Sequence, residues 1–556
     1  MSDTKSKITF LYPETSEETY EKLTGILENF KKKHPELRQK QELFSEKDII
    51  LITYADHVKE EGKKTFQTMG NFLSRYAKDI NTVHFLPFSP YSSDDGFSVI
   101  DYYQVNPEFG SWDDVQNISK NFNLMFDLVI NHVSSKSEWF QEFLKGNEKY
   151  QDYFIYYETK PDTAEVFRPR THPLLTQFNT SEGKRYVWTT FSEDQIDLNF
   201  RNPEVMLEMI KVLLFYIEKG ARIIRLDAIA YLWKELGTSC IHLPQTHEFV
   251  RLLRDVVDEV APSVRILTET NVPHKDNISY FGDGNDEAHM VYNFSLPPIL
   301  IYSFIKQDSK ILSEWARELE EPSKETAFFN FTASHDGIGL TPLKNIVPDE
   351  EIEQIALYAD KKGGKVNYRI VSGNEKKPYE LNIVYLDAFD NPKAFLCSQA
   401  ISLALKGVPG IYFNSLIGAQ NWTEGVEKLK YNRAINRKKF NISELDSELQ
   451  DQSSLKNKVY NIYKKILDAR INERLFDPKI DQVILDLGKN IFGLVRFHNN
   501  ESIVCLFNLS SEEASVAGKM IKEAIKKDSS TDIITENNFN LLEDIVLNPY
   551  EFVWLK

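Results

Sequence analysis

Residues 222–228, Arg-Ile-Ile-Arg-Leu-Asp-Ala, place a carboxylate directly after a short apolar run. Residues 264–269, Val-Arg-Ile-Leu-Thr-Glu, repeat this form further along the chain. Such runs are typical of strands buried on both faces of a parallel sheet, whose carboxyl-terminal ends open toward ligand sites. The two segments predict that Asp227 and Glu269 face one pocket, although either acid taken alone could simply cap a following helix.

Six further apolar segments have the same character, and helical patterns lie between most of them. One helix is predicted from Pro203 to just before Gly220, and another begins at Pro244. This alternation predicts an α/β fold, a (β/α)8 TIM barrel with its active site at the strand ends. A doubly wound open sheet is the alternative, but it offers too few strand ends for so many polar side chains. The eight predicted strands are 49–53, 83–88, 124–130, 223–227, 264–269, 290–294, 328–331 and 408–413.

The spacing of these segments also predicts the domain organisation. Residues 134–202 and 337–393 are too long for simple crossovers and are predicted insertions, after strands three and seven, that form walls over the pocket. Short strand patterns predict an antiparallel β domain over residues 477–556. Residues 1–45 are predicted to be a helical extension. The barrel itself then comprises residues 46–133, 203–336 and 394–476.

Composition limits the classes of function. The chain has 556 residues, of which 42% are hydrophobic, and a formal net charge of -17. This charge argues against non-specific binding to nucleic acid or to an anionic membrane, and an anionic substrate would need a local basic cluster. We expect a cytoplasmic protein, because no apolar leader or membrane-spanning segment is visible. The cysteines, Cys240, Cys397 and Cys505, lack metal-site spacing and are predicted to be buried free thiols.

Polar clusters follow four more of the predicted strands. A lone histidine at a strand end is usually structural, but six polar clusters on six strands of one barrel predict a single site. The four further clusters are Asp-Leu-Val-Ile-Asn-His at 127–132, Ser-His-Asp at 334–336, Ser-Asp-Asp-Gly-Phe at 93–97 and Asn-Arg-Ala-Ile-Asn-Arg at 432–437.

The segments around Asp127, Asp227, Glu269 and Asp336 resemble, in order, the four motif regions of the α-amylase superfamily. Within it the chain resembles the sucrose phosphorylase branch, and most of all the glucosylglycerate phosphorylases of that branch. The resemblance covers nearly everything after residue 45 and implies a retaining enzyme that transfers glucose to phosphate. The segments that carry it include 86–88, 94–97, 167–170, 237–240 and 335–339 for the branch, and 188–192, 194–199 and 268–277 for the glucosylglycerate phosphorylases.

Retaining chemistry needs two carboxyl groups about 5 Å apart, one ionised to attack the anomeric carbon and one protonated to assist the leaving group. Asp227 is the predicted nucleophile, because Arg225 lies two residues earlier on the same strand face and favours its ionised form. Glu269 has a less cationic local sequence and is the predicted general acid and base. Asp336, beside His335, is interpreted as the acid that grips the sugar hydroxyls and stabilises the transition state.

Further residues are expected to bind the sugar. Asp94 and Arg433 are predicted to pair and close the far end of the glucose subsite, so that only one sugar unit fits. His132 is expected to bind a sugar hydroxyl, as are Arg225 and His335. Phe97 could be either an apolar platform for the sugar or a core residue.

The first insertion carries the predicted phosphate site. Arg168 and Arg170 place two guanidinium groups on a proline-stiffened loop, a geometry suited to phosphate, although surface ion pairs are the alternative. The resemblance implies that Arg170 and Tyr231 belong to the phosphate site. Sucrose phosphorylases usually carry a histidine two positions after the acid/base, where this chain has Asn271. That departure weakens a sucrose assignment.

The predicted reaction converts 2-O-α-D-glucosyl-D-glycerate and phosphate to α-D-glucose 1-phosphate and D-glycerate. Alternatives are a sucrose, sucrose 6-phosphate or glucosylglycerol phosphorylase, an α-glucoside hydrolase, or a non-catalytic amylase-like module that the three acids argue against. No organic cofactor is expected, and no metal, because Asn131 lacks the acidic loop that would complete a calcium site. The oligomeric state stays open. The candidates for contact with the glycerate carboxylate are Arg168, Lys234, His274, Lys275 and Asn382.

Overall fold

Eight parallel strands form a closed barrel in the computed structural model, which describes residues 2–370, 376–389 and 391–556. Consecutive strands pair with one another, and the eighth pairs with the first. The predicted (β/α)8 barrel is confirmed, with each strand near its predicted position. The strands are β1 (Ile50–Thr53), β2 (Thr82–Phe85), β3 (Asn123–Leu128), β4 (Ala221–Leu226), β5 (Arg265–Thr268), β6 (Met290–Tyr292), β7 (Ala327–Phe331) and β8 (Val408–Tyr412).

The barrel strands are buried on both faces, as their apolar runs predicted. Every residue of β1, β5, β7 and β8 is buried, between the filled barrel interior and the surrounding helices. The helices of the extension and the barrel are α1 (Ser2–Leu11), α2 (Ser16–Lys33), α3 (Thr65–Tyr76), α4 (Trp112–Ser119), α5 (Pro203–Glu218), α6 (Pro244–Val260), α7 (Leu296–Lys306), α8 (Lys310–Arg317), α9 (Pro392–Ala404) and α10 (Leu455–Ile471). In the described part of the chain, none of the helices has the length and apolar character needed to span a bilayer.

Helices α1 and α2 of the extension pack on the outside of the barrel. Lys7 forms an ion pair with Asp255 of α6 at 2.8 Å, and the Tyr12 hydroxyl donates a hydrogen bond to the carbonyl of Phe200 at 2.9 Å. Apolar side chains of both helices, such as Ile8 and Leu27, join the main hydrophobic core. The extension is therefore continuous with the barrel core.

Both insertions lie at the carboxyl ends of the barrel strands. The first contains the hairpin of Leu175–Thr180 and Gly183–Trp188, and a short strand, His132–Ser134, paired with Gln195–Asp197. The second contains the helix Asp349–Lys361 and the antiparallel strands Lys365–Ile370 and Lys376–Asn382, the latter paired with Ile338–Gly339. The chain segments that follow β3 and β7 therefore cover the carboxyl-terminal end of the barrel.

The C-terminal region forms the predicted antiparallel sheet. Its four strands, β9 (Gln482–Ile484), β10 (Ile491–His498), β11 (Glu501–Asn508) and β12 (Phe552–Leu555), pair in the order β9, β10, β11, β12. The three cysteines are buried and unpaired, as predicted.

Candidate active site

The carboxyl ends of the barrel strands open into a cavity of about 380 Å³. It brings the three predicted catalytic acids together with most of the predicted binding residues. Those that line it are Asp227, Glu269, Asp336, Asp94, Phe97, His132, His335, Arg433, Arg168, Arg170, Tyr231 and Asn271.

Asp227 follows β4 and is held by Arg225. The Nη1 of Arg225 donates to Asp227 Oδ1 at 2.8 Å and also contacts Asp127, while its Nε donates to the Tyr292 hydroxyl at 3.1 Å. Asp127 is in turn 2.6 Å from Nε2 of His84, a partner that the sequence did not indicate. Arg225 is buried and is not among the residues that line the cavity. Its hydrogen bond to Asp227 has the predicted arrangement, and its part in substrate binding stays a prediction.

Glu269 follows β5 and forms a hydrogen bond with the turn after Asp227. Its Oε2 accepts a hydrogen bond from the backbone N–H of Ala228 at 3.1 Å. Ala228 has a φ of 48°, in the left-handed region that non-glycine residues rarely adopt. This turn aims the Ala228 N–H away from the helical direction and toward Glu269. Glu269 is therefore held by the residue that follows Asp227, and both acids line the cavity.

Burial raises the pKa of both Asp227 and Glu269 to about 7, with Arg225 opposing the shift in each. The charge of Asp227 also raises the pKa of Glu269, and the charges of Asp127 and Asp336 raise that of Asp227. The two groups titrate as a pair that holds one proton near neutral pH. Only Asp227 receives a hydrogen bond from the Arg225 guanidinium, which favours its ionised form. The shared proton therefore belongs on Glu269.

Asp336 follows β7 and has the opposite electrostatic surroundings. Burial alone would raise its pKa, but the positive charges of Arg433 and Arg437 outweigh burial and hold the pKa well below its ordinary value. Arg433 contacts Asp336 directly, and Arg437 lies 3.7 Å away. Asp336 is therefore a permanent anion in the cavity.

The predicted pairing of Asp94 with Arg433 is wrong. Arg433 lies between Asp336 and Glu380, with its Nη2 at 2.9 Å from Glu380 Oε1, and the cation nearest to Asp94 is Arg437 at 3.5 Å. Glu380 is 3% exposed and comes from the second insertion. Nothing in its local sequence marked it, because only tertiary structure places this carboxylate beside Arg433.

The rings of His335 and Phe97 stack in parallel, with their centroids 4.8 Å apart. The Nδ1 of His335 is buried and has no hydrogen-bond partner in the part of the chain that the structure describes. His132 Nε2 lies 2.9 Å from the carbonyl oxygen of Phe97. Phe97 belongs to the hydrophobic core and also lines the cavity, so its core role is confirmed and its role as a platform for the sugar stays a prediction.

The outer part of the cavity is basic and connects the two insertions. Arg168 contacts the carbonyl oxygen of His172, and Arg170 Nη1 donates to the Tyr379 hydroxyl of the second insertion at 3.1 Å. Neither arginine forms an ion pair with any residue in the described ranges, so the alternative of surface ion pairs fails. Burial raises the pKa of Tyr231, with Arg170 among the groups that oppose the shift.

Three predicted acceptor-site residues do not line the cavity. His274 stacks on Phe328 at 6.1 Å, Lys275 is exposed, and Asn382 is buried with its Nδ2 donating to the carbonyl of Lys365 at 3.4 Å. His274 and Lys275 lie on a short helix, His274–Ile278, that begins after Pro273, and the residue of this helix that lines the cavity is Asp276. Residues that the sequence did not indicate line the cavity instead: His242, Asp276, Lys344, Arg369, Tyr379 and Glu380.

Lys234, a fourth candidate for acceptor contact, has a different position. Its Nζ lies 2.6 Å from Asn131 Oδ1 and 2.7 Å from Asp197 Oδ2, away from the cavity. The ammonium group of Lys234 thus places a positive charge beside Asn131, the residue considered as a possible calcium ligand. No cluster of three or more candidate metal-ligating side chains occurs among the described residues.

Comparisons with known proteins agree with this geometry. Residues 75–338 match the family profile described as the catalytic domain of α-amylase. The chain is 46% identical to the glucosylglycerate phosphorylase of Spirochaeta thermophila, over 99% of this chain and 97% of that protein. It is 43% identical to the glucosylglycerate phosphorylase of Escherichia coli, over 96% of both chains. The crystal structure of sucrose 6F-phosphate phosphorylase from Thermoanaerobacter thermosaccharolyticum superposes with a TM-score of 0.74 at 26% identity, covering 84% of this chain and 94% of that one.

A TIM barrel with buried, paired carboxyl groups at its strand ends defines the class of glycoside-converting enzymes. The chain belongs to the α-amylase family, in the branch that contains the glucosylglycerate phosphorylases.

Proposed function

We propose that the protein is a retaining glycoside phosphorylase that converts 2-O-α-D-glucosyl-D-glycerate and phosphate to α-D-glucose 1-phosphate and D-glycerate. The observation that carries this proposal is the cavity itself. Its floor holds the acid pair Asp227 and Glu269, and its outer part holds arginines free of ion pairs with described residues. The relatives that match over nearly the full length support the choice of substrate.

In the first step, an Asp227 oxygen attacks the anomeric carbon while Glu269 gives its proton to the glycosidic oxygen. The carbon–oxygen bond to glycerate breaks, and the glucosyl group becomes covalently attached to Asp227. D-Glycerate leaves carrying the proton. Asp336, an anion at all physiological pH values, supports the positive charge that develops on the sugar ring.

In the second step, a phosphate oxygen attacks the same carbon from the side that glycerate vacated. Glu269, now ionised, accepts the proton of the phosphate, and the bond to Asp227 breaks. The two inversions return the α configuration. Glu269 is protonated again at the end of the cycle, so no external acid or base is consumed.

Closure of the sugar subsite favours a single glucose unit. Arg433 joins Asp336 to Glu380, and Arg437 forms a 2.7 Å ion pair with Asp95. A polymer chain would have to break these buried ion pairs, which is costly. These ion pairs support the predicted action on a small glucoside. They differ from the predicted pair of Asp94 and Arg433.

The choice of phosphate over water rests on Arg170. Its guanidinium is positioned by Tyr379 and has no carboxylate partner among the described residues, which leaves it available for a phosphate oxygen. We also propose that the predicted segments 134–202 and 337–393 act as the two walls of this acceptor side. The buried free thiols and the net charge support a cytoplasmic protein that does not bind nucleic acid.

An acceptor panel tests the function. Purified enzyme is incubated with α-D-glucose 1-phosphate and, separately, D-glycerate, glycerol, fructose and fructose 6-phosphate, and phosphate release is followed. We expect D-glycerate to give the highest kcat/KM. A higher value for another acceptor would reassign the enzyme within its branch, and glucose release at equal rates with and without phosphate would establish a hydrolase.

A further inference from the structure

Arg369, one of four arginines that line the cavity, lies on the strand Lys365–Ile370 of the second insertion. Its Nε is buried and has no hydrogen-bond partner among the described residues. It forms no ion pair with any residue of the described ranges. A buried guanidinium nitrogen without an acceptor is destabilising, so its presence in the lining of the cavity indicates that a bound anion supplies the missing acceptor.

The other three arginines of the cavity have protein partners. Arg433 forms ion pairs with two carboxylates, Arg168 contacts the carbonyl of His172, and Arg170 donates to the Tyr379 hydroxyl. Arg369 is the cavity arginine whose Nε has no acceptor among the described residues. The first insertion thus contributes Arg168 and Arg170 to the cavity, and the second contributes Arg369.

The strand register orders Arg170 and Arg369 along the cavity. Arg170 donates to the hydroxyl of Tyr379, the residue next to Glu380, whose carboxylate binds Arg433. Arg369 lies two residues along its strand beyond the position that pairs with Glu380. Arg170 therefore lies closer to the sugar subsite, and Arg369 lies further out.

The two anionic substrates present their charges at different depths. The phosphorus of phosphate is bonded directly to the oxygen that attacks the sugar. In glycerate the reacting oxygen is on C2, and the carboxylate oxygens lie one bond further from it. An inner guanidinium therefore suits phosphate, and an outer one suits the carboxylate. Planar bidentate pairing with a carboxylate is the geometry that arginine favours.

We propose that Arg369 binds the carboxylate of glycerate and makes the enzyme selective for acceptors with an anionic group. This inference rests on the proposed function. It assigns a role for which the sequence offered five candidates, of which only Arg168 lines the cavity: Arg168, Lys234, His274, Lys275 and Asn382.

The test compares Arg369→Gln and Arg369→Lys with a control, Lys365→Gln. Lys365 is exposed on the same strand, does not line the cavity, and loses the same charge on substitution. Initial rates are measured with glycerate and with glycerol as acceptors, and KM values are measured for phosphate and for glucosylglycerate. Thermal melting of each variant establishes that it is folded.

We expect Arg369→Gln to raise KM for glycerate and for glucosylglycerate by about tenfold to a hundredfold, the effect of losing a charge-assisted contact. The KM for phosphate and kcat/KM for glycerol should stay within about threefold, and Arg369→Lys should recover part of the loss. Equal losses for glycerate and glycerol, or a rise in KM for phosphate alone, would overturn the assignment. A wild-type enzyme that prefers a neutral acceptor would refute the proposed function instead, whatever the variants do.

Discussion

The backbone N–H of Ala228 donates a 3.1 Å hydrogen bond to Oε2 of Glu269, so the residue next to the nucleophile orients the acid. The backbone of Ala228 has a φ in the left-handed region, and this turn of the chain makes the hydrogen bond possible. A change in the position of Asp227 is thus transmitted to Glu269 by one residue of backbone. The positions of the two acids are therefore coupled through this hydrogen bond.

Asp227→Asn should abolish turnover. The amide cannot form the glucosyl intermediate, so we expect kcat to fall by about 10⁴-fold or more. The measurement is phosphate release from glucose 1-phosphate in the presence of glycerate. Asp113→Asn, at an exposed position in the first turn of α4, is the matched control and should retain wild-type activity. An Asp227→Asn enzyme with wild-type kcat would exclude this residue as the nucleophile.

The pH dependence of kcat/KM should be bell-shaped around neutrality. Since the pKa of Glu269 is raised to about 7, its acid form is present below that pH and is lost above it, which gives the alkaline limb. The acid limb reflects protonation of the coupled Asp227. Glu269→Gln should lower the rate and remove the alkaline limb. If that limb persisted in the variant, another group would be the acid.

Arg225→Met should destabilise the protein as well as inactivate it. Arg225 is the shared partner of Asp127 and Asp227, and its removal leaves buried carboxylates without a counter-charge. We expect a loss of about 3–5 kcal/mol in the free energy of unfolding, measured by urea denaturation. Arg222→Gln, on the same strand but contacting only a carbonyl of Ala221, should cost less than about 1 kcal/mol. Similar losses in both variants would contradict this role of Arg225.

Arg170→Gln should separate phosphorolysis from hydrolysis. We expect KM for phosphate to rise about tenfold to a hundredfold because a charge-assisted contact is lost. Release of free glucose, measured without phosphate, should change little, since water needs no guanidinium. Were hydrolysis to fall in parallel, Arg170 would be supporting the acid pair rather than the phosphate.

Chelation should leave the enzyme unaffected. The ammonium of Lys234 already lies between Asn131 and Asp197, where its positive charge satisfies both oxygens. We expect EDTA to change neither activity nor Tm, and Lys234→Ala to lower Tm because Asp197 becomes a buried unpaired charge. A fall in Tm on adding EDTA to the wild-type protein would reveal a metal site.

The sequence was sufficient for the barrel and the acid pair because both depend on local patterns. Apolar runs ending in Asp227 and Glu269 report a strand and its terminal side chain directly. The acceptor side was predicted less well. Glu380 and Arg369 lie on strands of the second insertion, and the distance in sequence hid their approach to Arg433 and Tyr231. The prediction that His274 or Lys275 contacts the acceptor rested on their closeness to Glu269 in sequence. In the structure both lie on a short helix and neither lines the cavity.

The most direct test of the central claim is the product of phosphorolysis. Purified enzyme is mixed with 2-O-α-D-glucosyl-D-glycerate and phosphate, and the products are followed by NMR. We predict equal amounts of D-glycerate and α-D-glucose 1-phosphate, with little free glucose. Formation of the β anomer would contradict the covalent intermediate on Asp227, and free glucose or no reaction would contradict the phosphorylase itself.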